Sequence, residues 1–566
     1  MFRFHVAPDG SDSWPGSLDR PFASLERAQA AARAVGGDAV VQLRGGTHLL
    51  TRPLELTEAD SGVVFQAHGY GTAEQEEPTV SGGRPIGGWE ERDGVWTAEV
   101  GGLDTRQLYV DGERVPRASI SGLPGSPSTN ETGYVTQALG WRNPEDVEFV
   151  YREVYPWTEA RCGVAGVAED GESAVVTMAQ PGFRWAYELY NATWDGNTSR
   201  GPGLPTRIEN DASFLTSPGA FVLDRSRGVL LYRPRPGEDP VRTRVVTPVL
   251  ETLVRVAGAR DVAFKGLVFA EATWTRPSRA EGFLHYHGSG YYEGGGVETA
   301  HLGEGASVTY PVASAVIPAC VRVEDAAGVL VEGCRFTRLG ASGLGISGGD
   351  GVVVRGCDFD SLSASAITVS GGRGTVVEDN WVHHVAVEYS GSPAITVSGV
   401  SGCRVVNNEI NDVPHCGIVV GPGEGAHILR NLTVDTMQVL ADGGGIYLSG
   451  TQGDSWDNGA VVRGNVIKDT RTPYNFALYT DYGASWVTVE GNVVMRGDNT
   501  AVLTVAPPLR NVIYRGNAWD ADPVGHDSPP DGVTYEGNVT YKDEREMNAA
   551  TAAIQSEAGL RRTRGR

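Results

Sequence analysis

The sequence is poor in the groups that would tie it to a polyanion or a membrane. Lysine and arginine number 47 against 70 aspartates and glutamates, a formal charge of −23. That balance disfavours nucleic acid, whose phosphates are held by basic side chains, and leaves no basic patch for an anionic membrane surface. No run of about 18 apolar residues is long enough to span a bilayer as a helix. The opening MFRFHVAPDGSDSWPG lacks the basic-then-apolar pattern of a secretory signal, so the default expectation is a cytoplasmic protein, or an exported one whose leader precedes this sequence. Methionine is scarce, at five residues, and aromatics make up 8%, whereas glycine reaches 76 of 566, a composition of many tight turns rather than long helices. There are six cysteines, and Cys334, Cys357 and Cys403 recur near one register of a repeat where a small apolar side chain would stack inward. Free buried thiols are therefore expected rather than bridges. At this length neither disulfides nor metals are needed for stability, and no cofactor is expected.

What is present is a repeat. GVLVEGCRF, GVVVRGCDF, GTVVEDNWV, GCRVVNNEI, AHILRNLTV, AVVRGNVI, WVTVEGNVV, NVIYRGNAW and GVTYEGNVT share one pattern. Aligned on Cys334, Cys357, Asn380, Asn408, Leu432, Asn465, Asn492, Asn517 and Asn538, they recur at steps of 23, 23, 28, 24, 33, 27, 25 and 21 residues. A period of 20 to 30 with β-branched strands marks a solenoid, here an all-β parallel β-helix whose turns pair at about 4.8 Å. The recurrent Asn suits an inward bend, where its amide bonds turn backbone and stacks on the next Asn. A second register, Ile346, Ile367, Ile395, Ile418, Ile446, Leu478 and Val502, reads as an aliphatic core ladder. The long steps must loop outward, and insertions on one face of a solenoid usually build a binding surface.

Four segments follow. Residues 1–102 read as an entrance cap with the first turns, including a helix with Ser24 as N-cap. Residues 103–247 lose the period and are rich in Trp, Tyr, Pro and Gly, an inserted β-rich, sandwich-like module. Residues 248–541 form the coil that carries the active site, interrupted by a second irregular loop at 275–318. Residues 542–566 turn helical and read as a cap and tail.

Three runs hold the candidate chemistry: VPHCGIVVGPG, DTMQVLADGGGIYLSG and TPYNFALYTDYGAS. In register on Ile418, Ile446 and Leu478 they stack His415, Gln438, Asp442, Tyr447, Tyr479 and Asp481 on successive turns. Glycosidic cleavage needs two carboxyl groups across the scissile bond. Asp442, beside Leu440, Ala441 and three glycines, suits a general acid with a raised pKa. Asp481 sits in a more polar run and suits the base or nucleophile. Tyr447 and Tyr479 fall on the outward side of their strands and Asp481 shares it, which makes a sugar-facing wall with His415 and Gln438 as further substrate ligands. On one straight strand, seven positions would part the two aspartates by about 23 Å. Either Gly443 to Gly445 turn a corner or one aspartate is not catalytic, and Glu388 is then the reserve carboxylate. In the second loop, Trp274, Arg276, His285, His287, Tyr291 and Tyr292 are sugar-stacking or hydroxyl-binding types, or else the packing seam of the module. His383 and His384 are adjacent, would point to opposite faces, and give no metal site.

The expected partner is an oligosaccharide or polysaccharide. Two other readings use the same scaffold: a polysaccharide lyase, which needs cationic or Ca²⁺ help and has only Arg471 near the proposed turns, and a non-catalytic glycan-binding solenoid.

Together PDGSDSWPGSLDRPFASLERAQAAAR, FAEATWTRPSRAEGF, VEYSGSPAI, ADGGGIYLSG and LYTDYGAS resemble the right-handed parallel β-helix glycosidases similar to glycoside hydrolase family 141. The resemblance implies a right-handed coil, an inserted β-rich domain, hydrolysis of plant or microbial glycans with α-L-fucosidase or xylan-directed activity, and catalytic roles for Asp442 and Asp481.

Overall fold

The computed structural model describes residues 2–285 and 290–561. Three strands make one turn, as in Ser342–Ser347, Val353–Arg355 and Asp358–Leu362. Each pairs in parallel with its equivalent in the next turn: Leu344 with Ile367, Val353 with Val376, Phe359 with Val382. The stack is a three-sided parallel β-helix. Its third side is a 12-stranded sheet running from Gly46–Leu49 to Val539–Thr540. The first and second sides are joined by the 15-residue strand Phe476–Glu490, which rounds their shared corner.

Alternation of short β-branched strands puts every second residue inside. On the first side Leu344, Ile367, Ile395, Ile418, Ile446, Leu478 and Ala501 stack in register and are fully buried. The row differs at both ends from the sequence alignment. Ile346 pairs with Val369, two residues further along the same inward face, and Val502 pairs with Tyr479 on the outward face. On the third side Phe269, Phe336 and Phe359 stack at centroid distances of 5.1 and 4.6 Å.

The corner between the second and third sides carries the asparagine ladder. Within the ladder the amide is saturated, as at Asn465: its Nδ2 donates to Asn492 Oδ1 at 2.9 Å and to the Ile428 carbonyl at 2.8 Å, while its Oδ1 accepts from the backbone N–H and Nδ2 of Asn431. The member of that turn is Asn431, not Leu432 as aligned, so the steps around it are 23 and 34 residues. A left-handed residue ahead of each Asn sets this register: Asp379, Asn407 and Arg430 have φ of 55°, 54° and 52°. All six cysteines are free and buried. Cys334 and Cys357 take the ladder position ahead of Asn380, whereas Cys403 lies at the start of a second-side strand.

The entrance is covered by helix Leu25–Ala34, whose N-cap Ser24 hydroxyl accepts the Arg27 N–H at 3.1 Å, with Leu25, Ala28 and Ala32 on the core. Helix Glu544–Glu557 lies along the outer surface of the third side, where Met547 packs on Val466, Val493 and Ala518. Between Gly83 and Pro248 the strands are antiparallel, and the second irregular loop joins them. Phe283–His285 pairs with Glu159–Asp170, and Ala306–Pro311 with Asn191–Trp194. Buried charges hold this layer to the coil: Arg106 lies 2.7 Å from Glu148 and 2.8 Å from Glu388.

Candidate active site

Along the outside of the first side, the positions between the inward aliphatic rungs form a floor. Thr368, Thr396, Val419, Tyr447, Tyr479 and Val502 follow one another on it, one per turn. Above Tyr447 and Tyr479 opens a cleft of about 540 Å³, walled on one side by Trp157, Leu302 and Tyr310 of the antiparallel layer and on the other by Tyr474, Phe476 and Tyr482. A second hollow of about 280 Å³ continues it towards the earlier turns, over Thr368, Thr396 and Ser398. Val419, Asp442 and Tyr447 belong to both.

Asp442 and Asp481 meet in this cleft from successive turns, which removes the 23 Å difficulty. Asp442 precedes strand Ile446–Thr451, and Asp481 lies in the next strand, opposite Ser449. The chain turns its corner at Asp442 itself, with φ of 51°, a left-handed conformation that Asp tolerates better than most residues. The three glycines that follow are there for want of space. A Cβ on Gly444 would lie 2.3 Å from the Phe476 carbonyl, and one on Gly443 2.6 Å from Cys416 Sγ. The bend is pinned from both sides: the Ala441 N–H donates to the Pro156 carbonyl at 3.0 Å, and its carbonyl accepts from His415 Nε2 at 3.2 Å.

Each carboxylate accepts a hydrogen bond from a tyrosine of the floor. Tyr479 donates to Asp442 Oδ1 at 3.1 Å and Tyr447 to Asp481 Oδ2 at 2.9 Å, with the two rings edge to face at 5.2 Å. Burial, reinforced by the Asp481 charge and opposed by the Tyr479 hydrogen bond, pushes Asp442 up to about 7. Burial also raises Asp481, against hydrogen bonds from the Tyr482 backbone and both tyrosines. Both side chains are half-buried and so remain within reach of a ligand.

The other residues singled out from sequence go elsewhere. His415 is buried in the wall of the second hollow, where desolvation lowers it to about 4 and keeps it neutral, so it braces the Asp442 loop. Glu388 is not a reserve carboxylate of the cleft. Arg106 donates to it at 2.8 Å, Gln107 at 2.7 Å and Ser363 at 2.9 Å; burial alone would raise it, but Arg106, Arg161 and Arg114 hold it down to about 2. It clamps the antiparallel layer to the coil. Gln438 is exposed on the rim of the third side, donating to Asp412 at 2.5 Å, and faces a different hollow. Trp274 is buried edge-on against Tyr389 at 5.6 Å, Arg276 pairs with Glu293 over the Tyr291 ring, and His285 is buried against Phe283 and Tyr292 and lowered to about 3 by desolvation. Strand pairing of the second loop with the antiparallel layer buries His285 there, whereas Trp274 and Tyr291 pack into the core of the coil. His287 lies outside the described residues.

Sequence reasoning missed Trp157 and Tyr310, which carry no repeat signal, and Tyr474, Phe476 and Tyr482, whose aromatic clustering around Asp481 was a usable clue. Among the described residues, no Lys or Arg lines the cleft or the hollow that continues it.

No curated protein matches the sequence. A family model described as "Right handed beta helix region" matches residues 312–456. Among solved structures, one described as "Glycoside hydrolase" shares the fold with a TM-score of 0.75 at 22% identity, covering 99% of each chain. A second, "The complex structure of XylC with xylose", gives a TM-score of 0.49 at 12% identity over 95% of this chain and 86% of its own. The chain is thus a right-handed parallel β-helix with an antiparallel β-rich layer, a fold it shares from end to end with a protein described as a glycoside hydrolase.

Proposed function

We propose that this protein is a glycoside hydrolase, of the kind similar to glycoside hydrolase family 141, cleaving a neutral plant or microbial glycan with Asp442 as general acid and Asp481 as its charged partner. The observation that carries this reading is the carboxyl pair itself: two half-buried aspartates from adjacent turns, in one cleft, with Asp442 raised to about 7 in part by the charge of Asp481. Two neighbouring carboxyls do not ionise together easily, so near neutrality one is an acid while the other is an anion. That is the state glycosidic cleavage requires. Asp442 protonates the leaving oxygen, and Asp481 either attacks the anomeric carbon or takes a proton from the attacking water. Tyr447, donating to Asp481, favours the anion there.

Trp157, Tyr310 and Phe476 give the cleft an aromatic lining of the kind that packs on the C–H groups of a sugar, and the hydroxyl-lined hollow beyond Val419 has room for further units of an oligosaccharide. A lyase would need positive charge to hold the enolate formed from a uronate, and among the described residues no Lys or Arg lines the cleft to supply it, which favours hydrolysis of an uncharged sugar. The full-length fold neighbour described as a glycoside hydrolase is in keeping with this reading.

The test is hydrolysis of aryl α-L-fucoside, β-D-xyloside, α-L-arabinofuranoside and β-D-galactoside, then of polysaccharides, by the wild type, Asp442→Asn and Asp481→Asn. A hit lost by about a thousandfold in both folded variants is the expected result. A hit that survives Asp442→Asn refutes the assignment, and glycan binding without turnover on any substrate refutes the enzyme.

A further inference from the structure

Away from the cleft, the third side of the coil carries a second constellation. Strand Trp381–His383 ends in a histidine, and a second, His384, follows it. In an extended chain their side chains would leave on opposite faces. His384 instead takes φ of 49°, and this bend brings both rings to one side, with their Nδ1 atoms 2.9 Å apart. Behind each ring stands a carboxylate from a neighbouring turn. His383 Nε2 lies 3.1 Å from Asp358 Oδ1, and His384 Nε2 lies 2.8 Å from Asp412 Oδ2. The His383 ring is fixed further by stacking on Trp381 at 3.8 Å, whose indole N–H donates to Asn411 at 2.8 Å.

The protons can be counted. A carboxylate only accepts, so each Nε2 carries hydrogen, and each neutral imidazole keeps a lone pair at Nδ1. Two lone pairs facing at 2.9 Å repel unless a positive charge lies between them. A histidine that donates one ring N–H to a carboxylate and presents its other nitrogen to a shared point has the arrangement of a metal ligand.

We infer that His383 and His384 form a binding site for a divalent late transition metal of tetragonal geometry, copper(II) first, with Asp358 and Asp412 as the carboxylates that orient the rings. At a metal–nitrogen distance of about 2.0–2.1 Å, a 2.9 Å separation subtends about 90° at the metal. That is the cis angle of a square-planar or tetragonal centre rather than a tetrahedral one. Imidazole ligation in that geometry suits Cu²⁺ or Ni²⁺, and Cu²⁺ binds the tighter. The His384 side chain is 61% exposed, so water completes the coordination. Asp358, Asp360 and His383 also converge within 4.8 Å, but Asp360 is taken by Arg335 and Thr337, each at 2.8 Å, which leaves the two imidazoles as the ligands. The charge of −23 favours a cation. The site spans three consecutive turns, so the metal would tie them together.

The experiment uses untagged full-length protein stripped with chelator and titrated with Cu²⁺, followed by calorimetry, electron paramagnetic resonance and thermal denaturation. The expected result is one equivalent bound, nitrogen hyperfine splitting from two imidazoles, and a raised melting temperature. His384→Ala, a change at an exposed side chain, should abolish that equivalent, and Asp412→Ala should weaken it about 10–100-fold. Absence of binding to the wild type would mean that a shared proton, not a metal, lies between the rings, and would overturn the inference. Binding of equal affinity in His384→Ala would overturn it too, as an adventitious site elsewhere.

Discussion

The titration of Asp442 can be followed directly, without a substrate, and its response to two neighbours has opposite signs. Burial and the Asp481 charge push its carboxyl up to about 7, against 3.8 for an unperturbed aspartate, and the expected midpoint lies there. Tyr479→Phe removes the 3.1 Å hydrogen bond that favours the anion. A hydrogen bond to a charged group contributes about 1.5–3 kcal/mol, and one pKa unit is about 1.4 kcal/mol, so the midpoint should rise by about 1–2 units. Asp481→Asn removes the nearby negative charge and should lower the midpoint by about 1 unit or more. Carboxyl ¹³C-labelled aspartate, observed by NMR across pH 3–10 and assigned by its loss in Asp442→Asn, reads all three. The same raised midpoint has a stability consequence. Between about pH 4 and pH 7 the folded state holds a proton that the unfolded state has released, so stability present below pH 4 is lost as pH rises through that window, and Asp442→Asn should flatten this slope. A wild-type midpoint below 5, or a Tyr479→Phe shift downward, would refute the account of this site.

Further outcomes follow from the same geometry. Glu388→Gln takes one of the two anions from buried Arg106 and leaves only Glu148, so it should destabilise by about 1–3 kcal/mol in denaturant titrations while the folded fraction keeps its turnover. Gly444→Ala places a Cβ 2.3 Å from the Phe476 carbonyl, and the forced shift of the Asp442 bend should lower kcat/KM by about a hundredfold with the fold intact by circular dichroism. Asn465→Ala strips the acceptor from the Asn431 side-chain amide and from the Asn431 backbone N–H, and a donor from the Ile428 carbonyl; at about 1–3 kcal/mol for each unmet buried group it should be among the most destabilising changes in the coil, read from the denaturation midpoint.

The coil was legible in the sequence because its physics is periodic. Alternating Val and Ile, a bend residue and an Asn recur whenever a turn recurs, and the Asp442 and Asp481 runs stand out against that background. What failed to show is what the period does not encode. Leu432 was aligned for Asn431 because the left-handed residue that sets the register, Arg430, has no fixed identity from turn to turn. Glu388 resembled a catalytic reserve because its arginine partners, Arg106 and Arg161, lie more than two hundred residues away in sequence. Trp274 and His285 have the chemistry of sugar ligands, but Trp274 packs into the core of the coil against Tyr389, and the pairing of the loop with Glu159–Asp170 buries His285. His383 and His384 were read by strand alternation, which a single left-handed residue cancels.

The strands that carry Tyr447 and Tyr479 are bonded neighbours in one sheet, Ile446 opposite Leu478 and Ser449 opposite Asp481. The spacing of Tyr447 from Tyr479 is therefore measured out by backbone hydrogen bonds at about 4.8 Å a turn, like marks on a ruler, rather than by the fit of side chains. Side chains above the marks can be exchanged, and loops lengthened between them, while the graduation stays the same. A scaffold of this kind would let the lining of the cleft drift through Trp157, Tyr310 and their neighbours while the step between the two tyrosines is preserved.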